Sequence, residues 1–285
     1  MNNIQIPKTY NYIAVFLTLS CNLKCSYCIN NFQKNCDKRK IISGKDWVKG
    51  LNRIISRKDL PISLQGGEPT LHPDFYFIVN NIKKNLKIDL LTNLQFDIYE
   101  FMKNIKPERI KRDALYASIR VSYHPEQMSL EETIEKVLKM QEKGYSIGVW
   151  GVLHPDYKQK IINAQKKCIK LGIDFRVKEF LGEHDGKLYG TYKYPGACSG
   201  KAIKKVYCRT SEFLIDSAGM VFRCHFDLYS NQCSIGNLLD PSFDINEEFL
   251  PCSYFGRCNP CDVKVKTNRF QQYGHTSVEI VDFKK

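Results

Sequence analysis

Between residues 12 and 180, short apolar runs alternate six times with segments whose apolar positions recur at helical spacing. The runs at 12–19, 60–64, 88–91, 114–122, 145–153 and 173–180 have strand length and are bounded by turn residues. Two capping boxes open helices between them. Ser43 with Asp46 precedes Trp47, Leu51, Ile54 and Ile55, and Ser129 with Glu132 precedes Ile134, Val137 and Leu138. Further helices are expected over 75–84, over 96–105, and on a face carrying Ile161, Ala164, Cys168 and Leu171. Six strand-then-helix units predict an α/β fold with a parallel sheet and right-handed crossovers. Ligands of such sheets bind beyond the carboxyl ends of the strands. The polar candidates fall there: the loop after residue 19, residues 66–68, Thr92 and Asn93, Ser122, and Glu179.

After Gly182 the alternation stops, and glycines, tyrosines and turn residues dominate to Gly200. A short hairpin follows, with Phe213, Leu214 and Ile215 on one arm, a turn over 216–219 and residues 220–224 on the other. The expected division is therefore residues 1–190 and a small cysteine-rich β-hairpin/helix domain over 191–285.

The chain has 285 residues, 43% hydrophobic and 26% charged, with no apolar run near the ~20 residues that span a bilayer. Residues 12–17 leading to Ser20 and Cys21 have the outline of a lipoprotein signal. However, the run is short, and Lys8 is the one positive residue before it. Twelve cysteines without a credible signal point to metal or cluster ligation rather than disulfides, and so to a reducing cytoplasm. The net charge of +13 is spread along the chain without a basic block. It is read as a lysine-rich solvated surface, with nucleic acid or an anionic partner as the other reading.

Cys21, Cys25 and Cys28 fall within eight residues, and no fourth cysteine follows at that spacing. On a four-iron cluster, three thiolates leave one iron open to a ligand, whereas a structural metal site closes all its positions. A zinc knuckle with a distant fourth ligand is the alternative. At the next strand end come Gly66, Gly67, Glu68 and Pro69, where glycines allow close backbone approach and a carboxylate can accept from an ammonium. A second set is formed by Cys208, Cys224, Cys258 and Cys261, a Cys-x15-Cys across the hairpin with a distant Cys-x2-Cys, as in a zinc ribbon or an iron–sulfur site. Cys198, Cys233 and Cys252 are close enough in sequence to replace one of these ligands. Cys168, on an apolar helix face, is a core residue, and Cys36, in a polar loop, is given no role.

Cys-x3-Cys-x2-Cys with Tyr27 before its third cysteine resembles the signature of the radical S-adenosylmethionine (SAM) superfamily. Gly-Gly-Glu-Pro, about forty residues later, is similar to that superfamily's motif for the SAM amino group. The resemblance covers roughly residues 10–190 and implies a partial (β/α)6 barrel. It implies a [4Fe–4S] cluster on Cys21, Cys25 and Cys28 with SAM on the open iron. Tyr27, Gly66, Gly67 and Glu68 would line the cofactor site, and Thr92, Asn93 and Ser122 would contact its ribose or methionine part, against a reading of these three as turn and cap residues. Reductive cleavage to a 5′-deoxyadenosyl radical is implied, fed by a flavodoxin- or ferredoxin-type donor.

The pattern Cys208…Gly219-x4-Cys224…Cys258-x2-Cys261 resembles the SPASM/twitch auxiliary-cluster domains of these enzymes, in the one-cluster twitch form. A structural zinc is the alternative. An auxiliary [4Fe–4S] cluster favours net substrate oxidation, which needs a base: Glu179 first, then Asp227 and His225. His124 and His154, each before a proline at a strand end, either line the pocket or serve the turn. Only twenty residues precede Cys21, which leaves no room for a leader-binding domain. A small polar metabolite, sugar or cyclitol-like, is therefore the expected substrate. A peptide or protein substrate is second, and a non-catalytic zinc protein on nucleic acid third.

Overall fold

In the computed structural model, the described residues are 2–30, 39–201, 203–266 and 274–283, so Cys36 lies outside them. Six parallel strands follow one another across one sheet: β1 (Tyr12–Thr18), β2 (Ile62–Gly66), β3 (Ile88–Thr92), β4 (Ile119–Tyr123), β5 (Ile147–Leu153) and β6 (Phe175–Glu179). Their register places Ile13 beside Ile62, Ile62 beside Ile88, Leu90 beside Ile119, Ile119 beside Ile147 and Val149 beside Phe175. From Ile13 to Thr18, β1 is buried at every position, as a strand covered on both faces must be. Sequential order means that each crossover returns to the neighbouring strand, so every carboxyl end opens on one rim.

Four helices of these crossovers are α1 (Gly44–Leu51), α2 (Phe75–Asn81), α3 (Ile98–Asn104) and α4 (Leu130–Glu142), and α5 (Lys158–Lys170) precedes β6. Both serines cap their helices: Ser43 Oγ accepts from the Asp46 N–H, and Ser129 Oγ from the Glu132 N–H. Trp47, Leu51, Ile78, Phe101, Val137 and Cys168 carry these helices onto the sheet in one core. The helical spacing read through Ile54 and Ile55 ends at Leu51 instead. Ile54–Ile55 is a two-residue strand paired in parallel with Ile4–Gln5. Next to it, the Arg53 guanidinium donates to the carbonyls of Asn2, Leu238, Asp240, Pro241 and Phe243, which stitches the N-terminus and a C-terminal loop to this edge.

The C-terminal third divides between two sheets. A small hairpin, β7 (Gly182–His184) with β8 (Lys187–Tyr189), follows β6. Later, β10 (Glu212–Ile215) lies parallel to β1, with Glu212 beside Tyr12 and Ile215 beside Val15. Strands β11 (Met220–Phe222) and β12 (Ser234–Asn237) continue outward, giving a nine-stranded sheet with edges β12 and β6. Phe213, Ile215, Val221, Leu238 and Phe243 therefore belong to the main core, although they lie beyond residue 190. A separate antiparallel sheet is built from β9 (Lys204–Thr210), flanked by β13 (Leu250–Phe255) and β14 (Val278–Asp282). It has its own core around Val206, Cys208, Phe255, Val263 and Val278. No helix among the described residues is long and apolar enough to cross a membrane.

Candidate active site and metal centres

The loop after β1 carries Cys21, Cys25, Tyr27 and Cys28, and every neighbouring strand end holds it. Asn93 Nδ2 donates to Asn22 Oδ1 at 2.7 Å and reaches Cys21 Sγ at 3.8 Å, and the Leu23 N–H donates to the same sulfur at 3.4 Å. Beyond β4, Gln127 Oε1 accepts from the Lys24 N–H (2.8 Å), and the Glu126 carboxylate accepts from the Ser26 N–H (2.6 Å) and hydroxyl (2.9 Å). Asn30 Nδ2 donates to the Gly66 carbonyl. Burial pushes the Cys25 thiol up to about 12, and the charges of Cys28 and Cys21 add to that, so the three sulfurs act on one another. Three half-open thiols with N–H groups aimed at one of them fit thiolate ligands of a cluster.

Glycine at 66 and 67 has a steric cause. A Cβ at either position would lie 2.0 Å from a backbone oxygen of the preceding strand and loop, Thr18 O for Gly66 and Ser20 O for Gly67. The close approach is thus between β2 and the cysteine loop. Gly66 also sits at φ +149°.

Glu68 turns inward and is 1% exposed. Its Oε1 accepts from the Thr70 N–H (3.2 Å), the Thr70 hydroxyl (2.7 Å) and the Thr92 hydroxyl (2.8 Å), and its Oε2 from the Asn93 N–H (2.8 Å). Burial raises its pKa against these four donors, which favour the anion. The Glu68 carboxylate is a clamp between the ends of β2 and β3. Thr92 is spent on this clamp and on the Leu94 N–H, and Asn93 on the cysteine loop. Ser122 is half-buried at the end of β4.

Tyr27 is packed among rings. Its hydroxyl is 3.1 Å from His124 Nδ1, and its ring stacks on His154 at 4.9 Å and tilts against Tyr157 at 5.7 Å. Burial holds His124 down to about 4 and lowers His154 as well, so both are neutral near pH 7. Both prolyl-adjacent histidines thus back the cysteine loop. His154 also accepts from the Asp156 N–H in its turn.

The second cysteine set lines a small cavity, formed by Cys208, Cys224, Cys252 and Cys258 with Arg223 and Asp227. Cys261 is outside this lining. Burial raises its thiol to about 11, against the pull of Lys264. Cys198 packs against the same core, and Cys233 is exposed. Antiparallel pairing explains Cys252: β9 puts Val206 beside Cys252 and Cys208 beside Leu250, so the two sulfurs meet diagonally. They share a hydrogen bond that favours Cys252 as the anion, and the Arg223 guanidinium supports it.

Arg223 also donates to Asp227 Oδ2 (3.2 Å) and the Pro251 carbonyl (3.0 Å). Asp227 Oδ1 is buried and finds no hydrogen-bond partner among the described residues. Four thiols, a buried guanidinium and an orphaned carboxylate oxygen around one cavity fit a thiolate-ligated metal group.

Among the expected bases, His225 Nδ1 is locked to Asp262 at 2.8 Å and Asp227 to Arg223, both on this second centre. Glu179 is exposed at the end of β6 and accepts from the Thr191 hydroxyl at 3.3 Å. Sequence reading missed Tyr229, on the helix α6 (His225–Ser230), whose hydroxyl donates to Asn30 Oδ1 at 2.6 Å. Burial raises its pKa well above the ordinary value, and the charges of Cys261 and Cys28 add to that.

Residues 15–119 match the family model of the radical SAM superfamily. The chain is 24% identical over 143 residues to GTP 3′,8-cyclase of Aliarcobacter butzleri, covering 49% of this chain and 44% of that one. To GTP 3′,8-cyclase of Aquifex aeolicus it is 25% identical over 199 residues, 62% and 58% of the two chains. The chain thus spans about half the length of the curated relatives it matches.

Among solved structures, anSMEcpe with bound AdoMet and a Kp18Cys peptide has a similar fold, with TM-score 0.57 and 16% identity over 81% of this chain and 78% of that one. Streptococcus suis SuiB bound to the precursor peptide SuiA gives TM-score 0.57 and 16% identity over 85% and 64%. Residues 15–119 thus carry the match to a radical SAM superfamily domain, and the chain has an α/β fold with a large, mostly parallel sheet. Such a domain uses a [4Fe–4S] cluster and SAM.

Proposed function

We propose that this chain is a radical SAM oxidoreductase acting on a small polar substrate, with a second, auxiliary cluster as the place to which the substrate's electron goes. Cys21, Cys25 and Cys28 would hold the first cluster. Residues 1–190 would act as a partial (β/α)6 barrel, a reading supported by the sequential order of β1 to β6. Residues 191–285 would supply the twitch-like auxiliary centre, in a reducing cytoplasm.

The observation that carries this reading is the pair of cysteine sets, with the helix after Cys224 tied to the first cysteine loop by the Tyr229–Asn30 hydrogen bond. One set lies at the strand-end rim, and the other lines a small cavity with Arg223 and Asp227. SAM on the first cluster supplies a hydrogen-abstracting radical when reduced. The chain's own part is to hold the cysteine loop by Asn93, Glu126 and Gln127, to fix the β2 and β3 ends by Glu68, and to present polar groups to the substrate. Glu179, accessible at the rim, would take the proton, whereas Asp227 and His225 are committed to ion pairs.

Protein purified without oxygen should be brown and hold about eight irons per chain. It should release 5′-deoxyadenosine on reduction, and Cys25→Ala should abolish this. Deuterium moving from a labelled polar substrate into 5′-deoxyadenosine would identify the reaction. Colourless protein that stays inactive after iron–sulfur reconstitution would sink the proposal.

The peptides held by two proteins of this fold support a second reading, in which the substrate is a peptide. The same deuterium transfer, run with labelled peptides, separates the two.

A further inference from the structure

Beside the cysteine loop, three metal-ligand side chains converge that the reaction above does not use. His154 follows β5, Asp156 lies in the turn Pro155–Tyr157, and His184 ends β7. One ligand atom from each lies within 4.8 Å of the others. His184 Nε2 is 3.1 Å from Asp156 Oδ1, and His154 Nδ1 is 3.8 Å from Asp156 Oδ2.

We infer that His154, Asp156 and His184 form a binding site for a divalent metal ion of the zinc type, with a coordination position open to oxygen donors of the substrate. Bonds of about 2.0–2.1 Å put the ligand atoms of a tetrahedral ion about 3.3 Å apart. The His184–Asp156 pair already has that spacing, whereas His154 Nδ1 must give up the hydrogen bond it accepts from the Asp156 N–H and close in from 3.8 Å. Two imidazoles and one carboxylate are the donor set of an open three-ligand zinc site.

The two rings meet edge to face, with centroids 4.6 Å apart. As cations they would repel, whereas as neutral ligands of one ion they gain from that proximity. Tyr27 stacked on His154, and Phe180 edge-on to it at 4.5 Å, fix the buried ring as outer-sphere packing does around metal ligands. The Asp156 side chain is 56% exposed, so the group is open on one side. Because Tyr27 precedes Cys28, an ion here would hold a substrate's oxygen atoms next to the cysteine loop. This anchoring role rests on the proposed enzymatic reading; the ion site itself does not.

The test is zinc uptake by the cluster-loaded protein in anaerobic equilibrium dialysis against Zn²⁺, with zinc-edge X-ray absorption of the bound ion. Wild type should take up one more zinc per chain than His184→Ala or Asp156→Asn. The extra ion should show nitrogen and oxygen neighbours at about 2.0–2.1 Å. Equal uptake by all three proteins, or a sulfur shell near 2.3 Å for the extra ion, would overturn the site. Asp156 is exposed and His184 half-buried, and iron content is the folding control.

Acetohydroxamate, a two-oxygen probe, should raise the zinc coordination from about four to about five. An unchanged shell would overturn the open position. Release of 5′-deoxyadenosine is measured on the same preparations. Zinc uptake without it would remove the enzymatic reading and leave the ion site, and the reverse result would do the opposite.

Discussion

The Tyr229 hydroxyl donates to the side-chain oxygen of Asn30, 2.6 Å away, and so ties the helix after Cys224 to the loop that ends in Cys28. Asn30 in turn donates to the Gly66 carbonyl, which brings the Gly-Gly turn into the same chain of contacts. Substituting Tyr229→Phe and Asn30→Ala, singly and together, should give a coupling energy of about 1 kcal/mol in urea unfolding, the usual net worth of one such bond. In turnover, Tyr229→Phe should raise the ratio of 5′-deoxyadenosine to oxidised product. A zero coupling energy would mean that the two elements are held together elsewhere.

Glu68 is the anchor of the β2 and β3 ends. Glu68→Gln keeps the volume but turns one acceptor oxygen into a donor facing donors. It should cost about 2–3 kcal/mol in stability. SAM should bind more weakly, since Thr92 and Asn93 lose their fixed partner. Equilibrium unfolding and SAM binding measure the two effects, and unchanged affinity would confine Glu68 to stability.

Gly67→Ala would place a methyl group 2.0 Å from the Ser20 carbonyl, a backbone atom that cannot swing aside. The cysteine loop must then move, and the expected result is loss of about four of eight irons per chain together with 5′-deoxyadenosine release. Gly172→Ala is the contrast. It too is strained, at φ +77°, but has nothing within 4 Å, so it should cost about 1 kcal/mol and leave the iron in place.

Local signals were legible and distant ones were not. Ser43 and Ser129 were readable as caps because their partners lie three residues away, and β1 because burial on both faces leaves an unbroken apolar run. Ile54 and Ile55 kept helical spacing, yet they pair with Ile4 and Gln5, fifty residues upstream. Glu68 carries no mark of its partners twenty-four and twenty-five residues on. Glu126 and Gln127 look like ordinary loop residues until the fold sets them against Ser26 and Lys24. The union of β10 with β1 was hidden for the same reason: a strand does not encode its neighbour, and the break in composition after Gly182 suggested a boundary that the sheet crosses.

His124 gives the pH prediction. Its folded value, about 4, lies below the ordinary histidine value near 6.5 because burial opposes its charge. The unfolded chain therefore binds more protons between these values. Stability is fully present above about pH 6.5 and falls as the pH drops toward 4. His124→Asn should flatten that part of the curve, measured as urea midpoints at pH 6.5, 5.5 and 4.5. Parallel curves for the two proteins would assign the acid sensitivity to other groups.

In the proposed auxiliary centre, Cys252 and Cys261 are rival candidates for one ligand position. Spacing favoured Cys261, through its Cys-x2-Cys with Cys258, whereas the register of β9 on β13 carries Cys252 to the cavity beside Cys208. Arg223 stands over the same sulfurs and stabilises their anionic form. Cys252→Ser should therefore lower the iron count from about eight to about four and remove one of two cluster signals in reduced protein. Release of 5′-deoxyadenosine should persist, since Cys21, Cys25 and Cys28 are untouched, but oxidised product should fall. Cys261→Ser should retain most of the iron. The reverse pattern would show that Cys261 swings into the cavity when metal is bound and that Cys252 is its neighbour rather than a ligand.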